Sequence, residues 1–207
     1  MKKRLLLAPL IGKIASLGFS MGGVFSYSDL FNVIATGSPL KNTRMIKRLV
    51  REGVLFKICR GFYTTDNPDL WTLASRLRTG CAISLDSVLS KNGLVGTVPE
   101  RSVSAVSASG RKQNIQTPFG LIRYFSIRKN IFSLGVERMK NGIFMADSEK
   151  AYLDLLYFYT KGARFVFDPR REVNVKKLDA KKIQKYLLQY RNKRFVQFVK
   201  GLLNENS

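Results

Sequence analysis

Residues 25–65 read FSYSDLFNVIATGSPLKNTRMIKRLVREGVLFKICRGFYTT, and this stretch restricts the fold more than any other feature of the chain. A short helical segment runs into a Gly turn and then into a strongly basic second helix. Ser38 stands where it can cap that helix, Pro39 sits where a missing N–H costs nothing, and Gly53 can close the far end. Between these stops Met45, Ile46, Leu49 and Val50 recur at helical spacing and predict a face packed on the preceding helix. Lys41, Asn42, Arg44, Lys47, Arg48 and Arg51 are then expected to face mostly outward. After Gly53 the period changes to two through Val54, Phe56 and Ile58, Arg60-Gly61 supplies a turn, and Phe62-Tyr63-Thr64-Thr65 returns as a strand. The order is that of a winged helix-turn-helix, with Arg60 at the wing tip.

Groove geometry gives this pattern its chemistry. A B-DNA major groove admits one helix, Asn and Arg side chains can pair with base edges, and basic neighbours hold phosphates. A wing Arg suits a narrow minor groove. The plain alternative is a solvated basic helix of a small helical domain, and the complete run of cap, helix, Gly and hairpin weighs against it.

Composition points to a polyanionic partner, since 36 Lys and Arg stand against 14 Asp and Glu, for a net charge of +22. The excess is densest in residues 1–66 and 169–207. With 207 residues, 45% of them hydrophobic, the chain can nevertheless bury a sizeable core and is no disordered polycation. Two cysteines, Cys59 and Cys81, and no histidine leave too few ligands for a metal site and remove the commonest general base. Both thiols read as reduced, in a cytoplasmic protein.

The opening MKKRLLLAPLIGKIASLGFSMGG can be read in two ways. A basic start before an apolar run resembles a secretory signal. Leu6, Leu10, Ile14 and Leu17 also fall near helical spacing, which equally suits a first helix of the same module. No run elsewhere is long enough to span a bilayer, and no membrane partner is expected.

Asp66-Asn67-Pro68-Asp69 reads as a linker, followed by a short helix over 70–78. A helical pattern through Ile83, Val88 and Leu89 stops at Asn92-Gly93. Strands are expected over 101–106, 121–127 and near 143–146, with turns at Ser109-Gly110 and Pro118-Phe119-Gly120. Asp147-Ser148-Glu149 then offers a cap for a helix over 150–159 that is apolar nearly all round. Beyond Pro169, Ile183, Tyr186, Leu187, Tyr190, Phe195, Phe198, Val199 and Leu202 form a further helical pattern crowded by Lys and Arg. A packed helical subdomain is the favoured reading there, ahead of a second phosphate-binding surface or a site for an acidic partner. The fold class is α+β, with a winged helix-turn-helix over 1–66, a mixed α+β domain over 67–168 and a basic helical region over 169–207.

Three features in this order resemble the AbiEi family of antitoxins from bacterial type IV toxin–antitoxin systems, also described as regulators of viral defence. They are the winged module ending REGVLFKICRGFYTT, the Ser-rich AISLDSVLSKNGLVG, and DSEKAYLDLLY, which carries Glu149 where the family has Pro. The resemblance spans roughly residues 20 to 160. It implies an N-terminal module that binds double-stranded DNA at inverted repeats upstream of its own operon and represses it. It also implies a C-terminal domain that counters a nucleotidyltransferase-type toxin. By position, DNA contact would fall on Lys41, Asn42, Thr43, Arg44, Lys47 and Arg48, with Lys57 and Arg60 on the wing, and Arg51 extends the basic face.

Catalysis is not expected. Asp147, Glu149 and Asp154, with Lys150, are the best reactive constellation the chain offers, and the first two are better explained as a cap and a helix-dipole partner. No Walker loop, dinucleotide fingerprint or nucleophile elbow is present, and no cofactor is implied. Two further readings remain open. One is a less specific nucleic-acid or RNA-binding protein that stacks bases on Phe62 and Tyr63, although a core role suits these aromatics better. The other is a protein-interaction module that neutralises a toxin without operator binding.

Overall fold

The computed structural model describes residues 7–96 and 101–205. The chain forms an α+β protein that separates into two compact units, one made of residues 1–77 with the turn 117–119, the other of residues 78–116 and 120–207. The first boundary therefore falls after Leu77 rather than at residue 66, and the basic C-terminal region belongs to the second unit.

In the first unit, α1 (Ala8–Ser20), β1 (Val24–Ser26), α2 (Tyr27–Ile34), α3 (Pro39–Arg51), β2 (Phe56–Cys59), β3 (Phe62–Thr64) and α4 (Leu70–Leu77) follow one another. Leu7, Ile14, Phe25, Leu30, Ile46, Leu49 and Leu55 form one buried cluster, so a residue from each of α1, α2 and the basic helix α3 meets the sheet. This makes the N-terminal apolar segment the first helix of the module. Leu10 and Leu17 pack at the edge of the cluster, and Leu6 lies outside the described residues.

The three strands are ordered β1-β3-β2 and run antiparallel, with Ser26 opposite Phe62 and Phe56 opposite Thr64. Strand β1 escapes a sequence reading because Val24-Phe25-Ser26 is too short to show alternation. Its last residue starts α2 through a capping box: the Asp29 N–H donates to Ser26 Oγ at 3.1 Å, and the Ser26 N–H donates to Asp29 Oδ2 at 2.7 Å. Arg76, from α4, pairs with the same carboxylate and donates to the Val24 carbonyl. Burial pushes the Asp29 pKa up, but the Ser26 hydrogen bonds and Arg76 together hold it below the usual carboxylate value.

The expected linker over 66–69 is instead a fastened turn. The Asp69 N–H donates to the Gly22 carbonyl at 2.9 Å, its carboxylate receives the Trp71 and Thr72 N–H groups at the start of α4, and Pro68 is buried. Gly23, at φ +69°, leaves no room for a Cβ, which would lie 3.1 Å from the Pro68 Cα.

The second unit is built on a six-stranded sheet ordered β6-β7-β5-β4-β9-β8, from β4 (Cys81–Ile83), β5 (Ser102–Ser107), β6 (Gln113–Thr117), β7 (Gly120–Ser126), β8 (Val136–Arg138) and β9 (Phe144–Ala146). Pairs β5–β7 and β4–β9 are parallel, while β4–β5 and β8–β9 are antiparallel. Helices α5 (Leu85–Lys91) and α7 (Ser148–Tyr159) pack on each other. A single turn of helix, α6 (Lys129–Phe132), precedes β8. The Asn92-Gly93 stop is present, with Gly93 at φ +62°. Asp147 caps α7 by accepting from the Lys150 N–H at 2.7 Å.

The C-terminal pattern resolves into two helices, α8 (Ala180–Leu187) and α9 (Lys193–Glu205). Ile183, Leu187, Tyr190, Phe195, Val199 and Leu202 are buried, so the apolar stripe is packing surface as expected. Among the described residues no helix is long and apolar enough to cross a membrane.

Candidate nucleic-acid interface

Helix α3 divides sharply into two faces. At 3.6 residues per turn, Lys41, Arg44, Lys47, Arg48 and Arg51 fall within an arc of about 120°, opposite the line of Ile46 and Leu49. Lys41, Arg44, Lys47 and Arg51 are exposed, whereas Ile46 and Leu49 are buried. Arg48 is half-buried, with Nε 3.9 Å from the Glu52 carboxylate one turn on, a surface pairing of small energetic weight. The helix ends as expected: the Gly53 N–H donates to the Val50 carbonyl and the Val54 N–H to the Leu49 carbonyl, the paired closure that a left-handed Gly allows.

Two of the predicted contacts do not belong to this face. Asn42 is 0% exposed. Its Oδ1 receives the Thr36 N–H at 3.1 Å and the Thr36 hydroxyl, and its Nδ2 donates to the Phe31 carbonyl at 3.4 Å. The amide thus ties the end of α2 and the following turn to α3, and cannot pair with a base. Its helical spacing explains this, because Asn42 stands four and seven residues before Ile46 and Leu49 and shares their face.

Thr43 is also committed within the protein. Its hydroxyl donates to the Pro39 carbonyl at 2.9 Å and lies 2.7 Å from the Tyr27 hydroxyl. Ser38 occupies the N-cap position, but its side chain makes no capping hydrogen bond. The turn is held by Thr36 and Asn42 instead.

The wing is short, four residues against three, and its two-residue tip places Arg60 in solvent with Gly61 at φ +84°. The Gly61 carbonyl accepts the Tyr27 N–H at 2.7 Å, which anchors the tip to the start of α2. Lys57 is exposed on β2. Phe62 and Tyr63 are half-buried, and Tyr63 packs against the core cluster. The first unit therefore presents Lys41, Arg44, Lys47 and Arg51 on one helix face, with Lys57 and Arg60 on the wing.

The candidate reactive groups of the second unit pair within α7 and between α7 and α8. Lys150 and Asp154 are both 0% exposed and form an ion pair within α7, and Ser84 Oγ donates to Asp154 Oδ2 at 2.7 Å. Burial pushes the Asp154 carboxyl pKa up against the pull of Lys150 and Ser84. Asp147 and Glu149 meet at Lys182 of α8, at 3.1 and 3.0 Å, and the Tyr186 hydroxyl donates to Asp147 at 2.7 Å. These bonds fasten α8 to the start of α7. A further ion pair, Asp86 with Arg123, links α5 to β7. Sequence spacing does not reveal it, because the partners lie far apart in the chain.

Neither protein-family models nor curated proteins match the sequence. Among solved structures, the chain is similar to the Rv2827c protein of Mycobacterium tuberculosis, with a TM-score of 0.65 at 13% sequence identity. The match covers 96% of this chain and 78% of that one. At this identity the likeness is one of fold.

Proposed function

We propose that this protein is a sequence-specific DNA-binding autorepressor that also serves as an antitoxin against a nucleotidyltransferase-type toxin in the cytoplasm. The observation that carries the DNA-binding half is the one-sided face of α3. Four exposed cations stand opposite a buried apolar line, on a helix followed directly by a basic wing. A helix of this kind enters a major groove, and Lys57 and Arg60 reach the flanking backbone or minor groove. The antitoxin half is supported by the resemblance to the AbiEi family in AISLDSVLSKNGLVG and DSEKAYLDLLY. Inverted repeats upstream of its own operon are the expected target.

Nuclease footprinting on the chain's own upstream DNA tests the repressor reading. Protection of an inverted repeat is expected, and its loss in the Arg44→Ala, Lys47→Ala, Arg51→Ala triple variant. Uniform protection of unrelated DNA would refute it. Co-expression with an adjacent nucleotidyltransferase-like toxin tests the second half. The triple variant should still relieve growth arrest, and failure of the unaltered chain to do so would refute the antitoxin role.

A further inference from the structure

One apolar side chain stands inside the cationic face of α3. Leu40 is 71% exposed and lies four, seven and eleven residues before Arg44, Lys47 and Arg51, so all four share one line along the helix. Helical geometry places it about 150° round from the line of Ile46 and Leu49. The unit's own core therefore cannot cover it without drawing Arg44 and Lys47 inward. Whatever the cations bind is what Leu40 meets.

The position along the helix matters as much as the face. Leu40 is the second residue of α3, directly after Pro39, and Pro39 and Gly37 before it are exposed, with open space around Gly37. N-terminal residues of a recognition helix approach base edges, whereas cations farther along lie against the backbone. Leu cannot donate to guanine or accept from cytosine. The apolar group that a major groove displays is the 5-methyl of thymine. Phosphates and sugars offer no counterpart.

On the DNA-binding reading above, we propose that Leu40 is a base-reading residue that packs on the 5-methyl group of a thymine in each half of the operator. Leu40 then contributes a preference that Arg44, Lys47 and Arg51 cannot, because phosphate contacts fix register without reading sequence. It also favours DNA over RNA of equivalent sequence, since uracil lacks this methyl.

The test replaces each thymine of the footprinted operator with deoxyuridine, one position at a time, and measures binding of the full chain and of Leu40→Ala. Because Leu40 is exposed, the variant should fold with an unchanged melting midpoint. The unaltered chain should lose roughly fourfold in affinity at one thymine per half-site, the ratio equivalent to about 0.8 kcal/mol for one buried apolar carbon. Leu40→Ala should bind the thymine operator correspondingly more weakly and be indifferent to uracil there. Equal thymine-to-uracil ratios in both proteins, or no sensitive thymine, would overturn the assignment while leaving the repressor reading intact. Absence of any protected operator would overturn both.

Discussion

Asn42→Ala removes a buried amide that receives the Thr36 N–H at 3.1 Å and the Thr36 hydroxyl and donates to the Phe31 carbonyl at 3.4 Å. Net contributions of about 0.5–1.5 kcal/mol per hydrogen bond, with the weakest of the three discounted, give a loss of about 2 kcal/mol. For a unit of this size that corresponds to a melting midpoint lower by about 10 °C. The only tryptophan, Trp71, lies in α4 of the same unit, so its fluorescence during thermal unfolding reports the loss. At a temperature where the variant is folded, operator affinity should stay within about threefold of the original, because no exposed group has been removed. Arg44→Ala should do the reverse, with a midpoint nearly unchanged and affinity reduced about tenfold or more. An Asn42→Ala protein of normal stability that no longer distinguishes operator from scrambled DNA would refute this reasoning and return Asn42 to the groove.

Other substitutions test the remaining framework. Lys150→Met strands the buried Asp154 and should cost about 3–5 kcal/mol, while adding Asp154→Leu should recover much of it; circular-dichroism melts decide. Gly135 sits at φ +56°, and a Cβ there would lie 2.7 Å from the Tyr186 hydroxyl, so Gly135→Ala should lower the melting midpoint by several degrees. Asp29 titrates below its ordinary value in the fold, so its contribution is complete above the unfolded-state pKa near 3.8 and is lost as pH falls through the lower folded value. Asp29→Asn should therefore flatten the acid side of the stability profile read by Trp71 fluorescence between about pH 5 and pH 2.

Much of the first unit is legible because its signals are local. Pro39, Gly53 and Gly61 mark a helix start, a helix stop and a wing turn without reference to distant residues, and α3 and the wing follow. The face assignment fails at Asn42 for an instructive reason: residue type outweighed spacing, although its distance from Ile46 and Leu49 already placed it inside. Leu40 escapes for the opposite reason, since an apolar residue on a basic face carries no polar signature. The Asp29–Arg76 tie, the Asp86–Arg123 pair and the parallel pairing of β5 with β7 depend on contacts across long stretches of sequence, which periodicity cannot encode. The chain turn at Asp66–Asp69 shows the limit from another side. Pro and Asn mark a break correctly, but only packing decides whether it is a linker or a fastened corner.

The most direct test of DNA recognition by α3 is a fluorescence-anisotropy titration against the upstream DNA and a scrambled duplex, at about 50 and about 200 mM salt. Counterion release predicts that both affinities fall steeply, by about a thousandfold if six exposed cations each meet a phosphate. Preference for the upstream DNA should survive the higher salt. The Arg44→Ala, Lys47→Ala, Arg51→Ala variant should bind both duplexes more weakly, and its logarithmic salt slope should be shallower by about 3. Equal binding to both duplexes at both salt concentrations, or a salt slope unchanged by the variant, would contradict the account.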